Sequence, residues 1–119
     1  TRECVIAVPT VDLLEKVVDI GNCSGKDVDK FARFGLTPLP AKDVQAPLIA
    51  ECLANIECRV VDTTLTNKYG LSILEGVRAW IDHDRKERRT CHANGDGTFV
   101  VDGETIDLKE RMVKWQDTL

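Results

Sequence analysis

Ala54-Asn55-Ile56-Glu57-Cys58-Arg59-Val60 places Ile56, Cys58 and Val60 on one side and Glu57 and Arg59 on the other. A period of two is that of a β-strand with one buried face. The same period returns in Leu71-Ser72-Ile73-Leu74-Glu75-Gly76-Val77-Arg78-Ala79-Trp80-Ile81, where Leu71, Ile73, Val77, Ala79 and Ile81 share a face. Glu75 interrupts the pattern and marks either a polar cleft or a bulge. Asn67-Lys68-Tyr69-Gly70 reads as the turn joining the two strands. Further on, Asp102-Gly103 suits a type I′ turn and predicts a hairpin of residues 98–101 with residues 104–108.

The chain before Ala54 has a different rhythm. Cys4-Val5-Ile6-Ala7-Val8 is a continuous apolar run of strand length, ended by Pro9. Thr10 then stands as an N-cap before a helix in which Leu13, Leu14, Val17 and Val18 form one stripe, with Gly21 as its stop. A second helix is predicted over residues 24–32, with Ser24 and Asp27 as an S-x-x-D cap, Val28, Phe31 and Ala32 as its apolar face, and Gly35 closing it. Pro38, Pro40 and Pro47 constrain residues 36–47 to an extended loop. Two helices ahead of four or more strands indicate an α+β fold with antiparallel pairing, without the βαβ alternation of a doubly wound sheet.

The 119 residues suit one domain, and 43% hydrophobic with 30% charged residues is the balance of a folded chain. Aromatic residues are only 5%, so Val, Leu, Ile and Ala must build the core. Sixteen Lys and Arg are scattered among twenty acids, for a net charge of −4, which excludes the basic stripe of a nucleic-acid binder. Arg85-Lys86 and Arg88-Arg89, interrupted by Glu87, read as a solvated turn. With no run of membrane-spanning length and no basic segment leading into an apolar one, the expected location is the cytoplasm. Five cysteines, an odd number with no C-x-x-C, read as free thiols in a reducing compartment rather than as a zinc site. The chain opens on Thr1 rather than Met, as a processed chain or a piece of a longer one would.

Residues 24–31 hold the most suggestive chemistry. A helix start presents free amides and partial positive charge, Lys26 and Lys30 are one helical turn apart, Ser24 offers a hydroxyl, and Gly25 permits close approach. A phosphate cradle and an ordinary capped helix with solvated lysines both fit, and on spacing alone the second is simpler. His92, Asn94, Asp96 and Gly97 resemble a calcium loop until the count is made. With Gly97 sixth, His92 stands first and Gly103 last, where Asp and Glu are needed. His83 and His92 lack metal-ligand spacing, no hydrolase motif accompanies Cys23 and Ser24, and Trp80 and Trp115 read as packing groups.

The ordered blocks of this chain resemble the flavin reductase-like, FMN-binding split-barrel family, and in particular its flavoredoxin-like branch. The resemblance rests on Val5-Ile6-Ala7-Val8-Pro9-Thr10 and on Ser24-Gly25-Lys26-Asp27-Val28-Asp29-Lys30-Phe31. It continues through Gly35-Leu36-Thr37-Pro38, Ala46-Pro47-Leu48-Ile49, Glu57-Cys58-Arg59-Val60, Leu74-Glu75-Gly76-Val77, Ala79-Trp80-Ile81-Asp82, Gly97-Thr98-Phe99 and Val101-Asp102-Gly103-Glu104. It implies a dimeric split β-barrel with FMN near the dimer interface, and electron transfer from NAD(P)H or another donor to flavin. A monooxygenase or other electron-acceptor protein would be the partner. Lys30 matches the family lysine that contacts FMN, with Ser24, Gly25 and Lys26 beside it. Tyr69 is the matched position in Lys68-Tyr69-Gly70-Leu71-Ser72, and His92 is the one retained where the family often reads His-His-Arg-Gly. Family members carry further strands, including a ring-holding segment, ahead of the strand at Cys4. The resemblance therefore implies a single domain over residues 1–119 that corresponds to the C-terminal two-thirds of a member. A non-catalytic dimerisation or protein-interaction module of the same fold is the alternative.

Overall fold

The computed structural model describes residues 1–114, so Trp115 lies outside the described residues. In chain order the elements are β1 (Glu3–Val8), a 3-10 turn (Val11–Leu13), α1 (Leu14–Gly21), α2 (Lys30–Phe34), β2 (Pro38–Leu39) and β3 (Leu48–Ile49). There follow β4 (Ala54–Asp62), α3 (Thr66–Tyr69), β5 (Ile73–Ile81), β6 (Cys91–Ala93), β7 (Phe99–Val101) and a 3-10 turn (Lys109–Arg111). β4 is the middle of a three-stranded sheet ordered β1-β4-β5, while β2–β3 and β6–β7 are separate two-stranded pairs. Every pairing is antiparallel, which is the expected α+β class.

The register divides the sheet chemically. Residues opposite one another share a face, so Cys4, Ile6 and Val8 of β1 lie with Cys58, Ile56 and Ala54 of β4 and with Gly76, Ala79 and Ile81 of β5. That face is wholly apolar. The other carries Val5, Ala7, Asn55, Glu57, Arg78 and Trp80, and the loop after α2 folds over it.

Glu57 is the reason that the loop stays there. Its carboxylate is fully buried and accepts hydrogen bonds from the amides of Lys42, Asp43 and Val44 and from Trp80 Nε1 at 2.6 Å. These donors hold the Glu57 carboxyl down at about 2, outweighing the desolvation that would raise it. Asn55 works alongside: its Oδ1 accepts from Ile49 N at 2.9 Å and its Nδ2 donates to Ile49 O at 3.0 Å, as a strand neighbour would. Arg78 Nε donates to Asp43 Oδ2 at 2.7 Å. Among the described residues, the buried apolar ones are Val44, Leu48 and Cys52, with Cys58 on the other face of the sheet.

Several elements differ from their sequence reading, each for a local reason. Thr10 is the N-cap residue as read, but of a 3-10 turn that leads into α1, and its hydroxyl makes no capping bond; it is hydrogen-bonded to Asp12 and accepts from Arg85 Nε instead. Gly21 is the last helical residue of α1 rather than the stop beyond it. Residues 36–47 are not loop throughout, because Pro38–Leu39 pairs with Leu48–Ile49. The turn at Asn67 is a short helix, closed by Gly70 in the left-handed region at φ 65°. Glu75 does flank a bulge: Gly76 opposes Cys58 while Arg78 opposes Glu57, and the shift puts Leu74 rather than Glu75 in phase with Ala79.

The predicted Asp102-Gly103 hairpin does not form. β7 pairs backwards with β6, and the glycine-rich segment is the turn, with Gly95 at φ 88° and Gly97 at φ 91°. Asp102 serves another purpose, its Oδ2 accepting from both the amide and the hydroxyl of Thr90 at 2.8 Å. Arg85 is not a solvated turn residue either. Its guanidinium reaches Thr10 Oγ1, Asp12 Oδ2 and the Glu51 carbonyl, tying three segments together with a side chain only 16% exposed.

Candidate functional site

Residues 24–30 form the connection between α1 and α2. Ser24 turns the chain back on itself: its Oγ accepts from Lys26 N at 3.2 Å, and its carbonyl accepts from the amides of Asp27 and Val28. The helix predicted from Ser24 begins only at Lys30, because Asp29 takes the N-cap and its Oδ1 accepts from Ala32 N at 3.3 Å. Gly35, at φ 66°, closes that helix as expected. The start of α2 is therefore already served by a carboxylate. Anion binding at this turn has to come from side chains.

Those side chains are cationic and near the surface. Ser24, Gly25 and Lys26 are exposed. Lys30 is half-buried, and its Nζ donates to Ile20 O at 2.9 Å, at the C-terminal end of α1 where a cation is favoured. An ammonium has three donors, so this bond leaves two for a ligand. Asp27 and Asp29 stand within the same turn and partly offset the charge.

The six predicted contact residues do not converge on one point. Ser24, Gly25, Lys26 and Lys30 are neighbours in sequence on the α1–α2 connection, but Lys26 lies ahead of α2, so the predicted helical turn linking Lys26 to Lys30 does not form. His92 lies on β6 opposite Val100, in the hairpin whose Phe99 lines a 510 Å³ cleft with Val11, Leu14 and Val18. Both groups thus flank α1. Tyr69 is elsewhere: α3 connects the far ends of β4 and β5, beyond the Asp62–Ile73 pair, whereas the chain leaves β1 for α1 at the opposite end, beside Ala54. Tyr69 is 65% exposed, with Lys68 Nζ 5.2 Å from its ring centroid.

An apolar cavity of 220 Å³ lies between α1 and the β3 segment, lined by Ala7, Leu13, Val17, Ile20, Ile49 and Cys52 with Lys16 at its edge. Its volume falls below the range of roughly 300–1,000 Å³ typical of pockets for organic ligands. Three features went unread in the sequence: the loop-holding role of Glu57, the three-way anchor at Arg85, and the apposition of Cys4 with Cys58. Each depends on pairing between segments far apart in the chain, which only the register supplies.

The profile of the "Flavin reductase like domain" matches residues 1–99. The chain belongs to the flavin reductase-like family. Among relatives, an uncharacterized protein of Archaeoglobus fulgidus is 42% identical over 77 residues, covering 62% of this chain and 44% of that protein. Escherichia coli YddH, also uncharacterized, is 31% identical over 113 residues, covering 85% and 60%. Among solved structures, an FMN-binding domain of a flavin reductases-like enzyme from Shewanella baltica superposes with a TM-score of 0.75 at 26% identity, covering 87% of this chain and 61% of that one. Flavoredoxin of Desulfovibrio vulgaris gives 0.73 at 23% identity, covering 87% and 60%, a likeness of fold. The flavin reductase-like chain thus spans between about two-fifths and three-fifths of the length of these proteins. None of the described helices is long and apolar enough to cross a membrane.

Proposed function

We propose that this flavin reductase-like chain binds FMN and serves a flavin-dependent electron transfer, holding the phosphate with Lys26, Lys30 and Ser24 of the α1–α2 turn. The observation that carries the reading is the family match over residues 1–99, a span that includes this whole turn. Support also comes from the Shewanella baltica domain, which is FMN-binding and similar along 87% of this chain. The donor set suits a phosphate: two ammonium groups, a hydroxyl and a glycine, all at or near the surface. When bound, the flavin supplies the redox chemistry. The chain's own residues neutralise the phosphate, with Lys30 bridging it to the end of α1 and Lys26 approaching from solvent. His92 is assigned a further contact with the same cofactor, whereas Tyr69 lies beyond the far end of β4, whose nine residues span about 27 Å, too far for one flavin held at the turn of the same chain to reach. NAD(P)H as donor, a monooxygenase as acceptor, a homodimer and a cytoplasmic site of action complete the proposal, as does a single domain over residues 1–119.

Titration with FMN and with riboflavin, which lacks the phosphate, tests the site. Each charge-assisted contact is worth on the order of tenfold in affinity. FMN should therefore bind at least about tenfold more tightly than riboflavin, and Lys26→Ala with Lys30→Ala should erase the difference. Lys30→Arg, which keeps the charge, should retain most of it. Equal affinity for both flavins in the unaltered chain would remove the turn from the site.

One observation favours a second reading, a non-catalytic module that associates through its sheet. On the apolar face Ile6 is 43% and Ile81 51% exposed, and contiguous apolar surface of this kind marks association sites. If that reading holds, the chain is a dimer that binds neither flavin, and Ile81→Glu makes it monomeric in sedimentation.

A further inference from the structure

Cys4 and Cys58 lie directly opposite one another in the β1–β4 ladder. Opposed residues of antiparallel strands have Cα atoms about 4.5–5.5 Å apart, inside the separation of about 4.4–6.8 Å that a disulfide spans. Their side chains leave the sheet on the same, apolar face. Both are free thiols. They are unequally accessible: Cys4, on the outer strand, is half-buried, whereas Cys58, on the central strand, is 4% exposed. On the third strand the residue opposite Cys58 is Gly76, so no side chain at that register position stands over the sulfur pair.

We propose that Cys4 and Cys58 are a reversible dithiol–disulfide pair, oxidised by low-molecular-weight organic disulfides, that staples the outer strand β1 to the centre of the sheet. The Cys4 thiolate attacks one sulfur of the external disulfide, forming a mixed disulfide and expelling one thiolate. The Cys58 thiolate then attacks the Cys4 sulfur, forming the Cys4–Cys58 bond and expelling the second thiolate. The two protons shed by the protein thiols end on the two released small thiols, so the protein is oxidised by two electrons and the external disulfide is reduced by two. Order of attack follows access, with Cys4 first and Cys58 resolving. Burial, together with the neighbouring Cys4, pushes the Cys58 thiol up, which lowers its thiolate fraction and suits it to the resolving rather than the first attack.

The alternative is that two small residues meet in a sheet and do nothing more. Oxidised glutathione separates the two accounts. After its addition, acid quenching and alkylation, the expected result is loss of two of the five alkylatable thiols. The mass should fall by two hydrogens, one peptide pair should be joined through Cys4 and Cys58, and dithiothreitol should reverse all of it. Cys23→Ser and Cys91→Ser should leave the change intact, whereas Cys4→Ser should abolish it. Five alkylatable thiols after oxidation, a mixed disulfide on Cys4 that never resolves, or a link through other cysteines would overturn the proposal. The unaltered protein alone decides between these outcomes, so a variant that fails to fold does not spoil the test.

Discussion

Glu57 shows how one residue can fix a segment of this protein. A carboxylate placed on the face of a sheet against a proline-rich loop satisfies three successive backbone amides and an indole N–H. Its pKa near 2, against an ordinary 4.5, sets the sign of a pH effect. As pH falls, the unfolded chain takes up this proton first. The stabilisation from Glu57 is therefore complete above about pH 4.5 and is lost as the pH drops through the folded value near 2. Glu57→Gln is expected to lower Tm by roughly 5 °C or more at pH 7 and to flatten the acid limb of a Tm-against-pH series. An unchanged acid limb would assign the acid sensitivity elsewhere. Arg85 is the second such residue. Arg85→Ala should cost about 2 kcal/mol in urea unfolding, and Arg85→Lys should recover less than half, because an ammonium lacks the fork that reaches Thr10, Asp12 and Glu51 together. Neither role was legible in sequence. A glutamate in an alternating strand and an arginine in a charged run both read as solvent-facing until their partners, 13 to 75 residues away, are known.

At the scale of elements, sequence reading did best where periodicity is long. The two nine-residue strands Ala54–Asp62 and Ile73–Ile81 follow directly from alternation, and the run beginning at Cys4 gives β1 almost to the residue. It did worst at short elements governed by hydrogen bonds between side chain and backbone. Asp29 rather than Ser24 caps α2 because both are cap formers and only Asp29 stands directly before the helical apolar residues. Asp102-Gly103 satisfies the hairpin rule, but Asn94-Gly95-Asp96-Gly97 satisfies it better once Asp102 is bound to Thr90. The observed turn and the turn expected at Asp102-Gly103 make opposite forecasts for substitution. Gly95→Ala and Gly97→Ala should each cost about 1 kcal/mol, since both residues hold positive φ and the cost comes from backbone alone, with open space beside each. Gly103→Ala should stay within about 0.5 kcal/mol. Equilibrium unfolding of the three variants decides, and a larger loss at Gly103 than at Gly95 would restore the Asp102-Gly103 turn.

At the scale of the whole molecule, the balance between closed and open surfaces matters most. On the polar face Glu57 and Asn55 are buried beneath the loop while Trp80 stays 41% exposed, and the apolar face keeps Ile6 and Ile81 about half exposed. The Cα radius of gyration is 16.8 Å, against about 13.5 Å for a compact chain of this length. The turn proposed to hold the phosphate, beside α1, and Tyr69, beyond the other end of β4, stand at opposite ends of the sheet. The family was legible because its blocks recur in order. Of the proposed site, residues 24–30 could be named together from sequence because they are contiguous, whereas the positions of Tyr69 and His92 relative to them depend on pairing between distant segments. A structure of the chain crystallised with FMN tests the central claim most directly. The phosphate oxygens are expected about 3 Å from the ammonium groups of Lys26 and Lys30, with Lys30 still reaching the α1 carbonyl. A phosphate held by other residues, with that turn bare of the ligand, would contradict the account.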